Sequence, residues 1–148
     1  MLAPQVPLPK TYACLAARVC LSAVYLYSGT AKLMDIPAGT AEVADLGLPA
    51  PGVFLALTIL TQLGGGLLVL VGLWTRLAAF LLLGFTVVAT ALAHNPLGLI
   101  GVEFQRQLTT SLEHLAIVGG FILVMAEGGG PVSIDRMIHR RGNGRNLA

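Results

Sequence analysis

The chain consists of four long apolar segments separated by short polar ones. The apolar segments cover about residues 13–33, 53–73, 77–94 and 108–126. Each is close to the roughly 20 residues that an α-helix needs to cross the hydrocarbon core of a bilayer. The pattern predicts an all-α integral membrane protein, a bundle of four transmembrane helices. A cleavable signal peptide is the alternative explanation of the first segment, but its length and its polar stripe favour a span.

The polar stripe of the first span lies on one helix face. Its members recur at intervals of four and three positions, and they are Arg18, Ser22, Tyr25, Gly29 and Lys32. A polar face in lipid is expected to turn toward other helices or toward a water-filled crevice. Snorkelling of Arg18 and Lys32 to the two membrane interfaces is the alternative explanation of these two charges.

The segment between the first two spans, residues 35–52, has a different character. It is less apolar and contains several acidic and small residues. We expect a short interfacial helix over about residues 38–46, because Gly47, Pro49 and Pro51 then end it.

The composition agrees with a membrane location. Hydrophobic residues make up 55% of the 148 positions and charged residues only 11%, with a mean hydropathy of +0.81. This charged fraction is roughly half that of a typical soluble domain. The net charge of +2 and the scattered basic residues argue against nucleic acid as a partner. Cys14 and Cys20 differ by about 9 Å in height along one helix, so they are not expected to form a disulfide with each other.

Basic residues are distributed unevenly between the two ends of the predicted bundle. If both termini lie on one side, the Lys and Arg residues of that side are Lys10, Arg18, Arg76, Arg136, Arg140, Arg141 and Arg145. The other side carries Lys32 and Arg106 together with acidic residues. The positive-inside rule therefore places residues 1–12, which we expect to be irregular, and the basic tail, residues 131–148, in the cytoplasm. We expect the tail to be partly flexible.

Polar side chains from all four spans are expected to meet near the outer end of the bundle. Since consecutive spans alternate in direction, spans one and three end where spans two and four begin. The candidate ligand-binding residues are Tyr25, Lys32, Gln62, His94, Arg106, Glu113 and His114. Ser28, Thr90 and Thr110 belong to the same layer, and Gln62 lies somewhat deeper. Helix bundles commonly bind small ligands between facing helices in this way.

Three interpretations of this layer remain open. It is a structural network in which Glu113 pairs with Lys32 or Arg106, because charges in a low dielectric need partners. Alternatively it binds a quinone, with His94 or His114 bonding a carbonyl oxygen and Glu113 taking up protons, which makes His94 and Glu113 the catalytic candidates. Metal or haem ligation by the two histidines is the third, but two histidines without further ligands at suitable spacing indicate a metal only weakly.

Short motifs follow one another in a fixed order along most of the chain. They are Arg18, Ser28-Gly29-x-x-Lys32-Leu33, Gly47-x-Pro49-x-Pro51, Gly65-Gly66, Gly72-Leu73-x-Thr75-Arg76, His94, Leu115-Ala116-x-x-Gly119-Gly120 and Gly128-x-Gly130-x-x-Ser133-x-Asp135. In order and spacing they resemble the DoxX family of small bacterial four-helix membrane proteins. The chain departs from the family at Gln62, where the family commonly has Glu. It departs again at Glu113 and His114, where the family commonly has a basic or polar residue followed by Asn.

The resemblance implies a multi-pass protein of the bacterial or archaeal cell (inner) membrane, tied to respiratory or redox chemistry. Family members are similar to the small subunit of an archaeal thiosulfate:quinone oxidoreductase, and others are linked to oxidative-stress complexes. The expected function is a membrane subunit of a redox assembly that interacts with the quinone pool and with a partner membrane or peripheral oxidoreductase. Quinone is the expected cofactor, no metal or haem is firmly indicated, and a homo-oligomer is left open.

Two other functional classes compete with this expectation. A non-catalytic membrane anchor or assembly factor would use the polar layer only to hold its helices together. A small proton-coupled transporter with four short helices would need an acid within the first span, and residues 13–33 contain none. A stand-alone enzyme is not favoured either, because the sequence has no nucleotide-binding loop and no firm metal motif.

Overall fold

A computed structural model describes residues 9–145, with side chains described for residues 9–140. Its helices are α1 Lys10–Met34, α2 Ile36–Asp45, α3 Pro51–Val71, α4 Thr75–Ala93, α5 Gly101–Glu127 and α6 Ile134–Arg145. Four of them, α1, α3, α4 and α5, are long and apolar enough to cross a membrane. This confirms the predicted all-α architecture of four spans, with the short helix α2 between the first two.

The four spans form a closed bundle. Helix α1 packs mainly along α3 and helix α4 mainly along α5, while α3 and α4 join the two pairs and α1 meets α5 over a shorter contact. The end that carries α2, where α1 and α4 end and α3 and α5 begin, is called the α2 end. The opposite end, which carries the start of α1 and helix α6, is called the termini end.

The predicted polar stripe of α1 faces the inside of the bundle. Four of its members are buried: Arg18, Ser22, Tyr25 and Gly29. Tyr25 packs against Phe121 of α5 with 5.5 Å between ring centroids, at the centre of the apolar core. The stripe thus brings polar side chains into the bundle interior, as the spacing of four and three predicts.

Two glycines of the short sequence motifs allow close packing of the helices. A Cβ atom on Gly29 would lie 2.8 Å from Cδ2 of Leu63, so α1 and α3 approach closely there. A Cβ atom on Gly65 would lie 2.9 Å from Cδ2 of Leu82 of α4. Small residues at such crossings are typical of helix packing in membranes.

Helix α2 packs against the first turns of α3. Its first turn is capped by Asp35, whose carboxylate accepts a hydrogen bond of 3.0 Å from the Ala38 N–H. Gly39 and Val43 form its buried face, and Gly39 is in contact with Leu55 of α3. The predicted short helix is therefore present, shifted two residues toward the N-terminus at its start.

At the termini end, Arg18 is bonded entirely to backbone. Its side chain is 2% exposed. Nε donates to the Val69 carbonyl (2.8 Å), Nη2 to Leu70 (2.5 Å), and Nη1 to Gly129 and Val132 (2.5 and 2.6 Å). The last carbonyls of a helix lack partners within it, so Arg18 satisfies the end of α3 and ties it to the loop after α5. The snorkelling alternative for Arg18 is therefore wrong.

Asp135 caps the start of α4 at the same end. Its carboxylate accepts hydrogen bonds from Trp74 N (2.8 Å), Thr75 N (3.0 Å) and Thr75 Oγ1 (2.8 Å), and its own N–H donates to the Gly72 carbonyl (2.9 Å). Burial raises the pKa of Asp135, but the hydrogen bonds from Thr75 and Trp74 outweigh it and bring this pKa below the ordinary value. Arg18, Asp135 and the backbone groups that they bond are called the termini-end clamp.

Two segments are helical beyond what the pattern predicts. Helix α5 begins at Gly101, whereas the predicted fourth span begins only at residue 108 and thereby leaves Gln107 in a loop. Glu103 lies in the first turn of α5, where a carboxylate is favourable. The tail forms helix α6, and Ser133 accepts a hydrogen bond from the Arg136 N–H at its start. The structure thus gives a helix in much of the segment that was expected to be partly flexible, while residues 146–148 lie outside the described part.

Candidate functional site

A cavity of about 350 Å³ opens within the bundle at the α2 end. Helices α1 to α5 all contribute to its walls. Most of the lining is apolar, with Val24, Phe54, Leu57, Phe85 and Ile117 among its members. A pocket of this size with an apolar lining and a few polar groups is the usual form of a small-molecule site.

Five of the seven predicted ligand-binding residues line this cavity. They are Tyr25, Lys32, Gln62, His94 and His114. The polar stripe of α1 supplies the first two, and α3, α4 and α5 supply the others. The structure therefore brings together side chains that are far apart in the chain, at the end of the bundle where the alternation of spans predicts them.

The two histidines lie side by side at this end. Their ring centroids are 5.1 Å apart, with the planes inclined by 74°. Nδ1 of His94 is 3.0 Å from Oε1 of Gln107, and an amide oxygen only accepts, so His94 donates. Nδ1 of His114 is 2.7 Å from the Thr90 hydroxyl, which itself donates to the Thr86 carbonyl, so His114 donates as well. In the neutral form, each ring therefore keeps Nε2 as a hydrogen-bond acceptor.

Gln62 and Tyr25 supply the polar groups of the deeper part of the cavity. Nε2 of Gln62 donates to the Ser28 hydroxyl over 3.1 Å, while its buried Oε1 has no partner among the described residues. The Tyr25 hydroxyl bonds Thr86, which donates to the Leu82 carbonyl, so Tyr25 is the donor of that pair. An unpaired buried acceptor is unfavourable, and a ligand or a water molecule that donates a proton to Gln62 would relieve it.

Lys32 forms an ion pair with Glu42 of α2 at the rim of the cavity. The lysine side chain is half-buried and the glutamate side chain is exposed. Because Val43, Leu46 and Leu48 also belong to the lining, α2 and the loop after it form one wall of the cavity. The pair connects that wall to the end of α1.

Arg106 and Glu113 do not line the cavity. Glu113 is exposed on the outer face of α5, one position before the inward-facing His114. Arg106 is exposed and lies 3.4 Å from Glu103. Successive residues of a helix differ by about 100° in direction, so Glu113 and His114 face different surroundings. The pairing of Glu113 with Lys32 or Arg106, one form of the structural interpretation, is not found, because these two cations pair with Glu42 and Glu103.

Two functional neighbours were missed by reasoning from the sequence. Glu42 lies on α2, which was treated as a separate interfacial segment, and Gln107 was assigned to a loop. A helical start at Gly101 would have placed Gln107 at the same height as His94. No sequence signal links Glu42 to Lys32, which lies ten positions earlier. The two side chains meet only because α2 folds back against α1.

The described residues contain no group of three or more His, Cys, Asp or Glu side chains able to share a metal ion. Near His94 and His114, the described residues supply no third side chain of these types that could complete a metal site. Cys14 and Cys20 are free thiols on α1, as their spacing predicts.

The sequence model of the DoxX family matches residues 13–95 of this chain. The inner membrane protein YqjF of Escherichia coli is 33% identical over 86% of this chain and 92% of its own length. The chain belongs to the DoxX family. The E. coli inner membrane protein YphA is 24% identical over 82% of the chain and 87% of its own length. The Mycobacterium tuberculosis membrane protein Rv3486 is 32% identical over 90% of this chain and 84% of its own length. No solved structure matches the chain.

The family-like motifs occupy two places in the DoxX fold with different roles. Arg18, Gly72, Thr75, Ser133 and Asp135 all belong to the termini end, where they hold helix ends together. Ser28, Lys32 and His94, which belong to the same series of motifs, lie in the cavity at the α2 end. One set of motif residues therefore joins helix ends, while the other contributes to the cavity lining.

Proposed function

We propose that this DoxX-family protein is a membrane subunit of a redox assembly that binds a quinone in the cavity at the α2 end. The observation that carries the proposal is the pair of histidines whose Nδ1 atoms are held by Gln107 and Thr90 while Nε2 is left for a ligand. The names of the relatives place two of them in the inner membrane of E. coli and assign no reaction.

The lining suits a ligand that is part aromatic ring and part hydrocarbon chain. About 350 Å³ lies in the range of small-molecule sites, and apolar side chains from every wall are available to pack against a ring. Exposed apolar residues surround the bundle, so an isoprenoid chain that leaves the cavity enters a lipid environment. A purely polar metabolite would lose its hydration without gaining enough hydrogen bonds.

The polar groups of the cavity can bond both forms of a quinone. The carbonyl oxygens of the oxidised form accept hydrogen bonds, which the Lys32 ammonium and the second N–H of Gln62 can donate. The hydroxyl groups of the reduced form donate hydrogen bonds, which Nε2 of His94 or His114 and Oε1 of Gln62 can accept. Interconversion takes two electrons and two protons, and the partner oxidoreductase would supply or remove the electrons.

His94 is the proposed protein group for proton exchange. Its Nδ1 bonds Gln107, and Nε2 of Gln107 donates to Glu103 over 3.0 Å. These hydrogen bonds orient the His94 ring and link it to an exposed carboxylate at the α2 end. Because an amide does not pass protons on, Nε2 of His94 is the atom that takes up or releases the proton. The exposed position of Glu113 gives it no direct contact with a ligand in the cavity, so in this proposal Glu113 and Arg106 act outside the binding site.

We also propose that both termini lie in the cytoplasm, with the α2 end on the opposite side. The termini end carries Lys10, Arg18, Arg76, Arg136 and Arg140, whereas Lys32 and Arg106 are the basic residues near the α2 end. The positive-inside rule supports this orientation.

Binding of decylubiquinone to the purified protein in lipid nanodiscs tests the proposed function. His94→Ala should weaken binding at least about tenfold, equivalent to about 1.4 kcal/mol. His139→Ala, which removes an exposed histidine at the other end, should bind as the wild type does. Equal dissociation constants for the wild type and His94→Ala, or no saturable binding by the wild type, would overturn the proposal.

A membrane anchor or assembly factor is the second candidate. It is favoured by the number of polar groups that already have partners in the protein, such as Tyr25 with Thr86 and Lys32 with Glu42. In that case His94→Ala would lower the amount of folded protein extracted from membranes, without a change in quinone binding by the fraction that folds. Measuring folded yield beside the dissociation constant therefore separates the two candidates.

A further inference from the structure

A second cavity, of about 900 Å³, lies at the termini end and is independent of the quinone site. Its walls come from the starts of α1 and α4, the end of α5 with its glycine-rich loop, and helix α6. The charged side chains and the histidine that face it are Lys10, Arg76, Glu127, Asp135, Arg136 and His139.

The acidic groups of this cavity are already bonded. Glu127 pairs with Lys10 over 2.5 Å. Asp135 is committed to the start of α4 through three accepted hydrogen bonds of 2.8 to 3.0 Å. The cavity therefore has no free carboxylate among its described walls to neutralise the remaining cations.

The remaining basic groups are available to an anion. Arg76 donates one hydrogen bond, from Nη2 to the Ala126 carbonyl at 3.2 Å, and the rest of its guanidinium is exposed. The side chain of Arg136 forms no ion pair with a described residue and is exposed as well. Two guanidinium groups of this kind suit a phosphate, which they can bond through paired N–H donors.

Apolar side chains border the same cavity. Leu77 is part of the lining, and Trp74, 68% exposed, stands at the turn before α4. Met137 and Ile138 of α6 are exposed beside Arg136. Tryptophan is typical of the level of the lipid head groups, and an amphipathic helix with basic and apolar residues is typical of a membrane surface.

We propose that this cavity binds the phosphate group of an anionic phospholipid, with Arg76 and Arg136 as its ligands and with Trp74 and Leu77 against the acyl chains. The combination of two available guanidinium groups with an apolar border selects a lipid over a soluble phosphate. Basic pockets between the helices at one face of a membrane protein commonly recognise lipid head groups in this way.

The test measures lipid binding to the full-length protein in dodecyl maltoside by native mass spectrometry. The wild type should bind dioleoyl phosphatidylglycerol more tightly than dioleoyl phosphatidylcholine, and glycerol phosphate should not compete at lipid-like concentrations. Arg76→Gln and Arg136→Gln should each weaken phosphatidylglycerol binding about fivefold, the equivalent of about 1 kcal/mol per basic residue.

Arg106→Gln is the matched control, because it removes the same charge from an exposed site at the α2 end. It should bind phosphatidylglycerol as the wild type does. Arg136→Gln decides the outcome by itself if Arg76→Gln does not fold, since the Arg136 side chain has no described hydrogen bond to lose. Equal binding of the two lipids, unchanged affinity in Arg136→Gln, or an equal loss in Arg106→Gln would each overturn the proposal.

Discussion

His94 and His114 show how much a binding site depends on the neighbours of its residues. Each ring donates from Nδ1 to a partner on another helix, Gln107 for His94 and Thr90 for His114. These hydrogen bonds fix the tautomer and the orientation of the ring, so that Nε2 is the atom left for a ligand. The chemistry of the cavity is therefore set by a pair of uncharged side chains as well as by the histidines.

Gln107→Ala should weaken binding of decylubiquinone about fivefold, since His94 loses a hydrogen bond worth about 1 kcal/mol and becomes free to rotate. Gln107→Glu should restore most of the affinity, because a carboxylate also accepts the proton of Nδ1. Thr109→Ala, on the exposed face of the same helix, is the control and should bind as the wild type does. An affinity of Gln107→Ala equal to that of the wild type would show that the hydrogen bond does not position His94.

Arg18→Gln should destabilise the protein by roughly 3 kcal/mol or more, because it leaves buried backbone carbonyls of α3 and of the loop after α5 without donors. Arg18→Lys should recover only part of the loss, since an ammonium has three donors and lacks the planar fork of a guanidinium. The apparent melting temperature in detergent measures the effect, with the exposed Arg140→Gln as control. A melting temperature of Arg18→Gln within about a degree of the control would contradict the stabilising role of Arg18 in the clamp.

At the scale of elements, helix ends are held by residues distant in sequence. The end of α3 and the start of α4 meet at Gly72, which has a φ of +72° and leaves no room for a side chain: a Cβ atom there would lie 2.5 Å from Cβ of Ser133. Arg18 and Asp135 then bond backbone groups at the two helix ends that lack partners within their own helices. The turn is thus defined jointly by three parts of the chain.

The spans could be predicted because about twenty apolar residues have few alternatives to a membrane helix. The inward face of α1 followed from the regular spacing of Arg18 to Lys32.

The start of α5 could not be predicted, since the segment from Gly101 to Gln107 is largely polar and the helix extends beyond the apolar pattern. Helix α6 could not be predicted because its twelve residues include four arginines and two glycines and form no apolar span. Its start is bonded to Gly72 by a contact that no local pattern reveals. Five of the seven candidate site residues could be placed, because alternation of the spans fixes their height, but the directions of Glu113 and Arg106 depend on how α5 is rotated.

Gly72→Ala should lower the apparent melting temperature, because it strains a left-handed backbone and collides with Ser133. Gly64→Ala is the matched control: a Cβ atom there meets no other atom within 4 Å, and alanine in a helix is favoured over glycine by about 1 kcal/mol. The two substitutions should therefore shift the melting temperature in opposite directions. A rise in both would show that the turn at Gly72 tolerates a side chain.

At the scale of the whole molecule, the two ends of the bundle differ in structure. At the termini end, the clamp joins α1, α3, α4 and α6 through Arg18 and Asp135. The α2 end is open, with the cavity and the ion pair of Lys32 and Glu42. In the proposed function, the ligand enters at the α2 end while the clamp holds the helices together at the other end.

Because Asp135 belongs to the clamp, the stability of the folded protein should depend on pH in the acid range. The pKa of Asp135 is below its ordinary value in the folded protein, so the contribution of its carboxylate is fully present above that ordinary value, near 4, and is lost as the pH falls through the lowered pKa. Asp135→Asn should destabilise the protein at pH 7 and should show a smaller further loss between about pH 4 and pH 2 than the wild type. Melting temperatures across this range test the prediction, and parallel curves for the two proteins would contradict it.

The most direct test of the account is photolabelling of the protein in nanodiscs with an azidoquinone, followed by mapping of the labelled peptides. The account predicts label on cavity residues within 24–32, 54–62 and 85–94, suppression by excess decylubiquinone, and loss of that label in His94→Ala. Label confined to lipid-facing positions, or label at the cavity that excess decylubiquinone does not displace, would contradict it.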